Sequence, residues 1–67
     1  MNNQFQISLK AARVNANLNQ QEAAKRLGIS ACTLIKWERN PEVVPPFKQK
    51  NISEVYGISI DLIFFGI

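Results

Sequence analysis

The chain has 67 residues and a mass of 7.6 kDa, enough for one small domain spanning 1–67. It carries eight Lys and Arg against five Asp and Glu, for a net charge of +3, which favours a polyanionic partner. With no His and a single Cys, it has neither an internal disulfide nor the ligands of a structural zinc site. No metal or other cofactor is expected. A usual general base is missing, the carboxylates are scattered, and the three glycines are too far apart for a phosphate loop. The sequence is therefore not read as an enzyme. No apolar run approaches the roughly 20 residues that span a bilayer. The N-terminal MNNQF lacks the basic, apolar pattern of a secretory signal. These features predict a cytoplasmic domain with no membrane partner.

Leu9, Ala12 and Ala16 repeat at helical spacing, so a first helix is predicted over 5–16, ended by Asn17 and Asn19. Asn19 and Glu22 stand three apart, as in a capping box, and open a second helix from Gln20 to Leu27. Its inner face is Ala23, Ala24 and Leu27; Lys25 and Arg26 form a solvated outer face. Gly28 suits the left-handed residue that ends a helix. Ile29 plugs the turn into the core, and Ser30 caps a third helix that runs to Glu38 or Arg39. Leu34 and Trp37 share its buried face, so Trp37 is read as core rather than as a base-stacking group. Asn40-Pro41 stops this helix. A stiff loop over 40–46 leads to Pro46, which opens a fourth helix bearing Phe47, Ile52, Val55 and Tyr56 and ending at Gly57. Ser59 caps a last short helix from Ile60 to about Phe65.

Two short helices joined at a glycine make a helix-turn-helix corner. Ala24 permits close approach, and Ser30 begins a slim, exposed first turn of the kind that enters a DNA groove. Over residues 9–65 the sequence resembles the phage repressor and Cro family, XRE-like helix-turn-helix proteins. The resemblance rests on LKAAR from Leu9, LNQQEAAKRLGIS from Leu18, LIKWER from Leu34 and VYGISIDLI from Val55. It implies an all-α, five-helix, lambda-repressor-like bundle. It also implies that the helix over 30–39 reads DNA in the major groove, with Ser30 at its start and base contacts from Ala31, Cys32, Thr33 and Lys36. Gln20, with Gln21 beside it, matches a position that anchors phosphate through backbone N–H, which agrees with anion binding at helix N-termini. Arg39, Asn40 and Lys48 are candidate phosphate contacts. Arg13 and Glu38 match an ion pair of the family; they form either a surface pair or a partly buried bridge, and the resemblance favours the bridge.

Ala23 replaces a larger aliphatic of the family pattern. Ala31, Cys32 and Ile35 make the reading surface unusually apolar, since none of them forms a bidentate base contact. Cys32 is read as a small side chain at the groove rather than as a redox switch. The C-terminal LIFFGI is richer in apolar groups than a short helix can bury. Ile60, Ile63 and Phe64 are expected in the core. Leu62, Phe65 and Ile67 are left for association, unless the tail folds back over helix 1.

The expected function is a sequence-specific regulator of phage or prophage type that binds a double-stranded DNA operator as a homodimer. The alternative is an anti-repressor that binds a second phage-type repressor and masks its DNA surface. A third, an antitoxin-like domain that binds DNA and a toxin, has less in its favour.

Overall fold

The computed structural model describes residues 5–66. Four α-helices follow one another: α1 over Leu9–Asn15, α2 over Gln20–Leu27, α3 over Ala31–Arg39 and α4 over Pro46–Tyr56. Single 3-10 turns occupy Pro41–Val43 and Ile60–Leu62.

Three of the helices end in the same way. The residue after the last turn takes left-handed backbone angles: Asn17 (φ 61°), Gly28 (φ 70°) and Gly57 (φ 68°). The next N–H then reaches back to a carbonyl five residues earlier: Leu18 to Arg13, Ile29 to Ala24 and Ile58 to Ser53, at 3.0–3.3 Å. Each bond occupies a carbonyl that the helix itself leaves unpaired. The following residue turns inward, so Leu18 is buried while Ile29 and Ile58 pack against the core.

The core gathers Leu9 and Ala12 of α1, Ala23, Ala24 and Leu27 of α2, and Leu34 and Trp37 of α3. Leu18, Val44, Ile52, Tyr56 and Ile63 complete it. Burying a Leu or Ile side chain stabilises by about 1.5–3 kcal/mol. Leu34 and Ile52, both fully buried, thus tie α3 and α4 to the same core.

The ends of the chain depart from the sequence reading. Helix α1 starts at Leu9 rather than at Phe5, because the Ser8 hydroxyl accepts from the Ala11 N–H (3.0 Å) and caps it there. The fifth helix is absent among the described residues. After the turn at Ile60–Leu62 the chain is extended, and Ile63 forms an isolated parallel bridge with Ile7. The Ile7 N–H donates to the Leu62 carbonyl, and the Phe64 N–H donates to the Ile7 carbonyl, both at 2.8 Å. Side chains alternate along extended backbone. Ile63 is therefore buried and Phe65 packs against the core, while Phe64 between them is 42% exposed. Of the three residues expected inside, only Ile63 is; Ile60 and Phe64 face outward. Leu62 and Phe65 are half-buried, and Ile67 lies outside the described residues. The folded-back tail is closer to what is seen, since this segment lies along the residues leading into α1. Phe47, in the first turn of α4, is 72% exposed.

Candidate nucleic-acid interface

The second helix is set by its cap. Asn19 Oδ1 accepts from the Glu22 N–H (2.8 Å), and Glu22 Oε1 accepts from the Asn19 N–H (2.9 Å). The Gln20 and Gln21 N–H groups precede the first carbonyl they could reach within α2, so they remain at its positive end. Gly28 turns the chain, and Ser30 Oγ accepts from the Thr33 N–H while donating to Thr33 Oγ1, both at 3.0 Å. This fixes the first turn of α3.

Leu34 and Trp37 pull one side of α3 into the core, so the other side is presented outward. Cys32, Ile35, Lys36 and Arg39 are exposed there; Ala31 and Thr33 are half-buried at the edge. Ser30, Gln21 and Asn40 are also exposed. Asn40 closes α3 by donating its N–H to the Lys36 carbonyl (2.8 Å).

A polar cluster lies behind this surface. Arg13 Nε donates to Glu38 Oε2 at 2.7 Å, with each side chain only 8% exposed. Arg13 Nη2 approaches Glu38 Oε1 (3.4 Å), and Arg13 Nη1 donates to the Leu18 carbonyl (3.0 Å). Gln20 Nε2 also donates to Glu38 Oε1, at 3.1 Å. One carboxylate on α3 thus holds α1 and the start of α2, and through Arg13 it is coupled to the turn after α1. The Gln20 side chain is turned inward by this bond, while its backbone N–H stays at the helix end. Burial, with the Glu38 charge adding and the Arg13 charge partly offsetting, pushes the Tyr56 hydroxyl up to about 12. That hydroxyl is buried with no hydrogen-bond partner among the described residues.

The structure thus brings Gln20, Gln21 and residues 30–40 into one neighbourhood built on α2 and α3, with Arg13 and Glu38 beneath. Lys48 stands apart from the sequence expectation: its ammonium is half-buried and donates to the Leu27 carbonyl. Sequence reasoning missed this contact, although a lysine in the first turn of a helix, where the dipole disfavours it, was a usable signal. It also missed the grip of Glu38 on Gln20, which only the folded arrangement reveals. Among the described residues no group of His, Cys, Asp or Glu is placed to hold a metal ion. No helix among them is long and apolar enough to cross a membrane.

The model of a helix-turn-helix family matches residues 9–63, which takes in all four helices. The chain belongs to this family, the XRE-type helix-turn-helix proteins, a class of DNA-binding transcription regulators that are generally not enzymes. No curated protein and no solved structure gives a significant match.

Proposed function

We propose that the chain is a regulator of the Cro and repressor type, of phage or prophage kind, that binds an operator as a homodimer with α3 in the major groove. The observation that carries this reading is the outward side of α3. Cys32, Ile35, Lys36 and Arg39 are exposed on it while Leu34 and Trp37 anchor the opposite side. In this reading Ser30 and Ala31 bring the first turn of α3 against the base pairs. Ala31 and Cys32 make apolar contact, such as with a thymine methyl, and Thr33 and Lys36 make polar contacts to base edges. The backbone N–H groups of Gln20 and Gln21 receive a phosphate, with Arg39 and Asn40 on the flanking backbone. Two copies would read half-sites about 34 Å apart. The exposure of Phe47 and Phe64 supports self-association through the C-terminal segment that carries Leu62, Phe65 and Ile67, together with the first turn of α4.

The test is a binding titration against duplex DNA flanking the chain's own gene. Lys36→Ala is expected to weaken specific binding by about 1–3 kcal/mol, and Lys25→Ala to leave it unchanged. Equal losses at both positions would replace groove reading with diffuse attraction.

A second reading is favoured by one observation: Ile35 is 38% exposed beside exposed Cys32, an apolar patch suited to a protein. In it the chain acts as an anti-repressor that covers another regulator's DNA surface. Ile35→Asp would then abolish binding to the neighbouring regulator, whereas Phe47→Asp would abolish operator binding in the first reading.

A further inference from the structure

Lys48 belongs to the first turn of α4, the end of a helix that disfavours a cation. Its side chain leaves that helix and reaches the far end of α2, where Nζ donates to the Leu27 carbonyl. The last carbonyls of a helix have no partner within it. In α2 the Ala24 and Lys25 carbonyls accept from the Ile29 and Gly28 N–H groups of the turn, and the Leu27 carbonyl accepts from Lys48. The ammonium therefore meets an unpaired acceptor and the negative end of the α2 dipole at once. A methyl group placed on Gly28 would lie 3.9 Å from Nζ, so the charge sits over the residue where the chain reverses. Only Gly28, Ile29 and Ser30 separate that carbonyl from Ala31, the first residue of α3.

We propose that Lys48 is a positioning residue for DNA recognition. It holds the turn between α2 and α3 through the Leu27 carbonyl and so sets the angle at which the first turn of α3 meets the groove, without touching phosphate itself. This rests on the DNA-binding reading above. A lysine on phosphate releases a counterion when it binds, and its removal flattens the salt dependence of affinity. A lysine tied to a carbonyl releases none. A lysine that serves the fold alone leaves the affinity of the folded protein untouched.

The probes are a duplex enriched by the wild-type chain from a random-sequence library and a scrambled duplex of the same composition. Wild type, Lys48→Met and Lys48→Arg are titrated across a salt series, at a temperature where circular dichroism shows each to be folded. Lys48→Gln, shorter and neutral, carries the same comparison if the Met variant does not fold. The expected result is about tenfold weaker binding of Lys48→Met to the enriched duplex, the size of one charge-assisted hydrogen bond. The scrambled duplex is bound as before, the salt slope is unchanged, and Lys48→Arg restores affinity. Equal loss on both duplexes, with the slope reduced by about 0.9, would make Lys48 a phosphate contact and overturn the proposal. Unchanged affinity on both would reduce it to a helix cap and overturn it too. A wild-type chain that enriches no duplex overturns the DNA-binding reading itself, a result distinct from either.

Discussion

Two regions of this domain hold the chain by different means. Around Glu38, a single carboxylate fastens α1 and α2 to α3, and the Arg13 it holds fastens the turn after α1, all through directional, charge-assisted bonds. Around Ile63, the two ends of the chain meet through two backbone hydrogen bonds, and most of the hold comes from apolar side chains on one face. The first arrangement fails when one partner is lost, because the other is left charged and buried. The second degrades in proportion to the apolar area removed. The contrast suits a binding protein: the directional cluster lies directly behind α2 and α3, where angles matter, and the tolerant pairing lies at the ends.

The largest test of this contrast is at the cluster. Arg13→Ala or Glu38→Ala should each cost about 3–5 kcal/mol in urea unfolding, against about 0.5 kcal/mol or less for exposed Lys25→Ala. The paired change Arg13→Met with Glu38→Leu should recover most of that loss, since no charge is stranded.

At the chain ends, Ile63→Ala should cost about 2–4 kcal/mol by leaving a cavity, and Phe64→Ala about 0.5 kcal/mol or less. Comparable costs in thermal melts would point to a helical tail in place of the extended one.

A smaller effect tests the entry to the helix-turn-helix. Asn17 holds φ 61° without being glycine; Asn17→Gly should raise stability by about 0.5 kcal/mol, read as a shift of the urea midpoint.

The smallest is Tyr56→Phe. Its hydroxyl is buried without a partner among the described residues, so removing it at pH 7 should leave stability unchanged or slightly raised. The variant differs from wild type in alkali. The folded-state value of about 12 lies above the ordinary 10.0, so the native protein holds this proton more tightly than the unfolded chain. The resulting stability is complete below pH 10 and is lost as the pH rises toward 12. Melting temperatures between pH 9 and 12 should fall less steeply for the Phe variant.

The helix-turn-helix was legible because its signals are local. Asn19 with Glu22, Gly28 and Ser30 each name a cap within three residues of the atoms it satisfies, and α2 begins and ends, and α3 begins, where those residues place them. The pairing of Arg13 with Glu38 was carried by the family resemblance rather than by spacing. The ends were misread for a physical reason. Residues 60–65 can be written on a helix face or on an extended strand, and only the presence of Ile7 beside them decides between the two. Ser8 was a local signal that went unread, and it moved the start of α1 to Leu9. The Lys48 bond to Leu27 crosses between helices, and no local pattern encodes its partner.

The Ile7–Ile63 bridge also has a kinetic meaning. It joins positions near opposite ends of the chain, so it forms only after nearly the whole chain has closed into a loop, whereas the helices and their caps form from neighbours. Such a pairing assembles late and opens early, as a unit less stable than the centre of the domain. In native-state hydrogen exchange the Ile7 and Phe64 amides should therefore trade their protons well before the Leu34 amide. The Ile7–Ile63 pairing can then open while α2 and α3 stay in place.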